Sequence, residues 1–301
     1  MMHKILLISS LLFINLNAKM QTPIITISNL HTTSHEYVYD PNNLTQKLSE
    51  LIWDSKNTKL IGLEFNYLLN QNKFININYK TKLNDGETIM DDYDWLDENN
   101  PNIWSDHSNH PDTILTDFSM LDVSFNKKMD NQSYGIDKIL VVGFIKEYKK
   151  FKAYNGSYIY STSGIERDQT GTFYGLGITY IEEYEGAYLG ISGNKKYKHY
   201  SVNTTIKYSP FIKGSTADTH HSRSFTDKSI FSNIKMLNID LGISYTLTNS
   251  KNIFFNYSNI KYSKSTSGNT RTYFNGTTFS YPGSVVQNQY ELITFGIELN
   301  F

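Results

Sequence analysis

Apolar and polar residues alternate with a period of two along almost the whole chain. Ile61, Leu63, Phe65, Tyr67 and Leu69 interleave with Gly62, Glu64, Asn66 and Leu68. Leu237, Ile239, Leu241, Ile243, Tyr245 and Leu247 interleave with Asn238, Asp240, Gly242, Ser244 and Thr246. The last residues repeat the pattern, with Ile293, Phe295, Ile297, Leu299 and Phe301 on one face and Thr294, Gly296, Glu298 and Asn300 on the other. Successive side chains of a strand point to opposite faces, so this pattern is a β-strand pattern. A soluble sandwich would bury the apolar face as its core. A transmembrane barrel inverts the arrangement, with apolar side chains on lipid and polar ones in the lumen.

The barrel is favoured by three features. The 23 Tyr and 17 Phe supply aromatic girdles at the membrane interfaces, and a terminal Phe closes an apolar face. The N-terminus supplies the third: Met1-Met2-His3-Lys4, an apolar stretch from Ile5 to Leu16, then Asn17-Ala18. A basic start, about a dozen apolar residues and a small residue read as a secretory signal over residues 1–18, too short to span a membrane as a helix. Composition narrows the field further. No apolar run reaches the roughly 18 residues of a spanning helix, and mean hydropathy is −0.44. Lys and Arg total 28 against 29 Asp and Glu, a net charge of −1, so no basic footprint points to nucleic acid. The absence of cysteine removes disulfides, thiol nucleophiles and thiolate metal sites.

The expected fold is all-β: one ten-stranded antiparallel transmembrane barrel over residues 19–301, protruding on the extracellular side. The strands are expected near 24–38, 46–70, 73–84, 113–128, 135–161, 171–184, 187–211, 225–247, 252–265 and 286–301. Several exceed the roughly 9–11 residues that span a bilayer, so they project beyond it. Tight turns are expected at 70–72, 129–134, 182–186 and 249–252, and long loops at 39–45, 85–112, 162–170, 212–224 and 266–285. Tight and long connections alternate, as periplasmic turns and extracellular loops do. The loops after the third and seventh strands then share one rim.

Those two loops carry the unusual chemistry. Asp91-Asp92-Tyr93-Asp94-Trp95-Leu96-Asp97 places Asp92 and Asp94 two apart, on one side of extended chain. Adjacent carboxylates repel, which raises one pKa and makes one a proton acceptor; the plain alternative is a solvated acidic loop. Asp218-Thr219-His220-His221 places an acid beside an imidazole, where it can fix the tautomer and stabilise the imidazolium. Without a cysteine or a nucleophile-elbow glycine pattern, a water attacking directly with His220 as general base needs only what is present. A zinc site built from His107, His110, His220 and His221 is the rival reading, although no zinc-binding spacing occurs.

Longer motifs are more specific. Asp92-Tyr93-Asp94-Trp95-Leu96-Asp97, then Asn100-Pro101, Trp104, Asp106 and Ser108, then His110-Pro111-Asp112-Thr113, resemble the signature of the omptin family of outer-membrane endopeptidases. Asn155-Gly156-Ser157-Tyr158-Ile159-Tyr160-Ser161 and Asp218-Thr219-His220 match the same family in the same order. The resemblance covers almost all of the mature chain. It implies an Asp92–Asp94 couple facing an Asp218–His220 couple across an extracellular groove, with a water between them. His220 would take the proton of the water, Asp218 would orient His220, Asp92 would hold the water and Asp94 would tune Asp92. It implies polypeptide substrates with Lys or Arg near the scissile bond. Glu36 would be an acid of the pocket before that bond and Asp106 the acid of the pocket after it. Thr216 stands where the family has a second acid in the first pocket, which implies weaker selection there. The resemblance also implies location in the outer membrane and activation by lipopolysaccharide, with no metal or other cofactor. The family's lipid-binding positions fall at Phe144, Lys146, Tyr148 and near Glu183, with Lys149, Lys150 and Lys228 as substitute cations.

Two further functions suit a barrel of this size. One is a catalytically idle omptin-like barrel acting as an adhesin or receptor through its rim, which would have no need to keep all four catalytic residues. The other is a passive porin, although polar side chains such as Glu64, Asn66, Asn238 and Asp240 would largely fill so narrow a lumen.

Overall fold

The computed structural model describes residues 19–20, 23–130, 135–248 and 251–299. The signal segment over 1–18 and the terminal Phe301 lie outside the described residues, as do parts of the turns expected at 129–134 and 249–252.

Among the described residues the elements are strands: β1 (Lys19–Met20), β2 (Ile24–Asp40), β3 (Asn43–Asn70), β4 (Lys73–Asn84), β5 (Glu87–Asp94), β6 (Asp106–Lys128), β7 (Asp137–Tyr160), β8 (Gln169–Tyr197), β9 (Tyr200–His220), β10 (Phe225–Thr248), β11 (Lys251–Tyr273) and β12 (Thr278–Leu299). Every neighbouring pair is antiparallel, and β12 pairs β2 from Ser284↔Val38 to Glu298↔Ile24, which closes the sheet. β4 and β5 follow one another in one position between β3 and β6. Counted so, and with β1 as a short addition against Leu68 and Tyr67, the ring has the ten strand positions expected from the sequence.

The polarity of the lower barrel is inverted, as the alternation implied. Ile25, Ile27, Leu63, Phe125, Leu241 and Phe295 are exposed on the outside, while Thr26, Ser28, Ser124, Asn126, Asn238 and Thr294 are buried inside. An outward apolar band with a polar interior is what lipid on one side and water on the other select. Strands of up to 29 residues are several times longer than a bilayer requires, so the upper half of the barrel stands clear of it.

Four connections differ from expectation. No turn occurs at 182–186: β8 runs unbroken from Gln169 to Tyr197 and turns at Lys198-His199. The polar run Glu182-Glu183 looked like turn chemistry, but Glu182 points inward, is fully buried and pairs with Lys149 at 3.1 Å. The stretches 39–45, 212–224 and 266–285 are mostly strand and turn at 41–42, 221–224 and 274–277. Long and tight connections therefore do not alternate strictly; the long rim loops are 95–105 and 161–168. Around Glu182 and along 212–220, polar residues that face the barrel interior imitate loop composition, while at 39–45 and 266–285 exposed polar strand ends do so. With no turn at 182–186, residues 187–197 run opposite to expectation, finishing β8 instead of opening the next strand, but the ends of β5 and β9 still meet at one rim.

Between the lower lumen and that rim the interior is filled. Trp53 stacks on Tyr180 with ring centroids 5.3 Å apart and packs on Phe151 at 5.4 Å, and Tyr184 stacks on Tyr262 at 4.3 Å. Such ring pairs contribute about 0.5–1.5 kcal/mol beyond the area they bury. Lys149, Glu182, Ser34 and Asn288 form a closed buried network beside them. This plug divides a polar lumen below from a cleft above, so the interior is not the open channel of a passive porin.

Candidate active site

The cleft, about 390 Å³, is lined by Asp92, Asp94, Asp106, Ser108, His110, Tyr160, Phe173, Ile178, His220 and Arg223, with Leu96, Gly177 and Ser222 completing it. Asp92 and Asp94 stand at the top of β5, both inward by the period-two rule. In register Asp92 lies between Leu51 of β3 and Ser108 of β6, and Asp94 between Ser49 and Asp106. Ser49 Oγ donates to Asp92 Oδ1 at 3.3 Å. Burial, and after it the charge of Asp94, holds the Asp92 carboxyl well above the usual carboxylate range. Asp94 is also raised, by burial first, against the Ser49 hydrogen bond and the Arg223 charge.

His220 faces the same cleft from the end of β9, which is strand where a loop was expected, and Asp218 is buried beside it. His220 Nε2 lies 2.6 Å from Asp218 Oδ2, and Arg223 Nη2 lies 2.6 Å from His220 Nδ1. An arginine can only donate, so Nδ1 accepts and Nε2 carries the proton given to Asp218. Asp92, Asp218 and His220 are each less than a tenth exposed. The two couples, over a hundred residues apart in sequence, thus meet at one cleft, with Asp92, Asp94 and His220 on its wall and Asp218 bonded to His220.

Glu36 is buried on β2 and its Oε2 has no partner; Asp218 Oδ1 is likewise buried without one. Burial, then the charges of Asp218, Asp227 and Asp92, pushes the Glu36 carboxyl well above its ordinary value. Thr216 is buried two residues before Asp218 and supplies no charge. Asp106 is already engaged: Oδ1 accepts from the Ser161 backbone at 2.7 Å and Oδ2 from Ser105 at 3.1 Å. A carboxylate has lone pairs to spare for a further donor.

The sequence reading missed several cleft residues. Ser108 and His110 entered it only as motif letters and, for His110, as a zinc ligand. His110 Nδ1 donates to the Asn155 carbonyl, leaving Nε2 toward Ser108 Oγ at 3.4 Å, and burial lowers its pKa. Tyr160 is pushed up to about 12, by burial and then by Asp92 and Asp94, so its phenol remains a donor. Arg223, in the turn three residues beyond His220, had no sequence signal, and neither did Asp227, which lies outside the cleft wall on β10 and is held by two hydrogen bonds from Arg271. The histidines of the zinc reading do not converge. His107 pairs with Asp91 and stacks on Tyr93, and His221 meets Thr179, while His110 and His220 face the cleft. Of the cations offered for lipid, Lys149 is sealed inside the barrel and cannot reach lipid, whereas Lys146 is exposed and pairs with Glu185.

Fold and site together define a transmembrane β-barrel that carries a buried acid and histidine cleft at one end. Comparison with known proteins makes this more specific. The omptin family model matches residues 18–301. The chain is 29% identical over 230 residues to the outer membrane protease OmpP of Escherichia coli K12, covering 74% of this chain and 71% of that protein. It is 27% identical over 287 residues to Protease 7 of the same strain, covering 92% and 89%. The crystal structure of the outer membrane protease OmpT from Escherichia coli shares the fold, with a TM-score of 0.87 at 24% identity, over 95% of this chain and 98% of that one. The chain belongs to the omptin family, a family of outer-membrane proteases.

Proposed function

We propose that the cleft hydrolyses polypeptides beside basic residues by direct attack of water, with no covalent intermediate. The observation that carries this is His220, clamped by Asp218 through Nε2 and turning Nδ1 into a cleft it shares with Asp92 and Asp94. A water held by Asp92 gives its proton to His220 Nδ1 as its oxygen bonds to the scissile carbonyl carbon. Asp218 stabilises the imidazolium that forms. On collapse the C–N bond breaks and the imidazolium returns the proton to the leaving amine. Asp94 keeps the Asp92 carboxyl basic through its neighbouring charge.

Basic side chains are the substrates this cleft suits. Glu36 and Asp218 each leave a buried carboxylate oxygen without a donor, and a Lys or Arg side chain supplies donors and charge together. With Thr216 in place of an acid, selection before the bond is less strict than in omptins that keep a second acid there, while Asp106 stands in the pocket after it. The cleft opens to the cell exterior, and lipopolysaccharide is the activating lipid. Lys146 on the outer face is the available cation; Lys150 and Lys228 remain candidates. His220→Ala and Asp92→Asn are each expected to lower turnover by about 10²–10⁴ while the heat-modifiable barrel still forms. Near-normal peptide cleavage by folded His220→Ala would remove His220 from the mechanism.

A further inference from the structure

The mechanism leaves one cleft residue unexplained. Arg223 lies in the turn between β9 and β10 and caps Nδ1 of His220 at 2.6 Å. That is the nitrogen which must accept the proton of the water, because Nε2 is committed to Asp218. With Arg223 in this place neither nitrogen of the base is free. The guanidinium lies in the field of Asp92 and Asp94, which it stabilises as anions. Among the described residues it makes no ion pair with a carboxylate, and its remaining contact is the Phe225 ring at 5.4 Å. The turn itself is fixed. His221 N donates to Gly177 O at 2.9 Å, and Phe274 N to Ser224 O at 2.9 Å. Movement therefore belongs to the long side chain, not to the turn.

We infer that Arg223 is a specificity-determining latch, an internal cation that caps the base until a cationic substrate side chain displaces it. The inference rests on the reading of His220 as base. A Lys or Arg entering among Glu36, Asp92, Asp94 and Asp218 adds positive charge to a poorly solvated cleft. Like charges there repel strongly, and the flexible internal one gives way, uncapping Nδ1. A neutral side chain brings no such repulsion and meets a capped base. Activity toward it is reduced by the fraction of molecules in which the base is free. Basic-residue preference thus comes from release of the base as well as from pocket acids, which suits a chain with Thr216 in place of the second acid.

The test compares kcat/KM for a peptide with Arg beside the scissile bond and for the same peptide with citrulline, its neutral isostere. Wild type, Arg223→Ala, Arg223→Gln and Arg223→Lys are measured after refolding with lipopolysaccharide, with barrel formation checked by gel mobility. Removing the charge is expected to raise citrulline-peptide cleavage about tenfold and Arg-peptide cleavage at most about threefold, so the ratio between them falls. Arg223→Lys keeps the wild-type ratio. The Ala and Gln variants are independent, so poor folding of one leaves the other. A fall in both rates, or an unchanged ratio, in whichever of the two folds overturns the latch. His220→Ala in the same assay separates the two claims. If it is inactive and the ratio is unchanged, the latch alone fails; if it stays active, the base reading fails and the latch with it.

Discussion

Glu36 shows how far a single residue here departs from what stability alone would select. It is a buried carboxyl with one oxygen unpartnered and four other acids in its field. In the unfolded chain it ionises near the ordinary value of about 4.3; in the fold it does so only at higher pH. Between those values the folded protein binds the extra proton, so stability falls as pH rises through that window and stays lower above it. Glu36→Gln is therefore expected to be more stable than wild type at pH 8, by about 1–3 kcal/mol, with the difference vanishing near pH 4. Its kcat/KM for basic peptides should fall by a similar free energy. Thermal unfolding in detergent at the two pH values checks this, and a variant less stable at pH 8 would mean that Glu36 has a charge partner in the fold. The sequence made the i, i+2 pairs legible, because Asp92–Asp94 and Asp218–His220 each share a strand face. Glu36 was reachable only through family resemblance. Arg223, Ser49 and Asp227 were not legible, since their roles come from contacts across the cleft or between neighbouring strands.

At the scale of elements, the paired strands β6 and β7 hold one wall of the cleft through an irregularity. Asn155 and Gly156 have positive φ, 47° and 137°, and the pairing of β7 with β8 slips beside them. A Cβ on Gly156 would lie 2.4 Å from the Asn109 carbonyl and 2.9 Å from His110 Nδ1. Gly156→Ala must therefore shift backbone next to Ser108 and His110, on top of an unfavourable conformation costing about 1–3 kcal/mol. The expected outcome is a folded barrel with turnover reduced about tenfold or more, because misplacement by an ångström is enough to do so. Steady-state kinetics beside a gel-mobility assay decides it, and wild-type turnover would show that the bulge does not set the cleft. Strand existence was legible from alternation alone, and so was strand direction outside residues 187–197. Strand ends were not: Glu182, Asp218 and Arg271 are polar because they face a filled or wet interior, and composition cannot distinguish such residues from loops.

As a whole molecule the barrel has three levels: a polar lumen within the lipid-facing band, a plug of aromatic rings and buried ions, and the acidic cleft. The plug makes the upper half a rigid scaffold, on which side chains from β2, β5, β6, β9 and β10 can be held at fixed separations. Long strands raise this scaffold clear of the membrane, where large substrates can approach. The most direct test of the account is cleavage profiling by mass spectrometry. Refolded wild type and His220→Ala, each with and without lipopolysaccharide, are incubated with a peptide library of unbiased sequence. The account predicts cuts by wild type with lipopolysaccharide, enriched in Lys or Arg on both sides of the bond, and almost none by His220→Ala. Cleavage with no enrichment of basic residues, or a cutting pattern that survives the loss of His220, would contradict it.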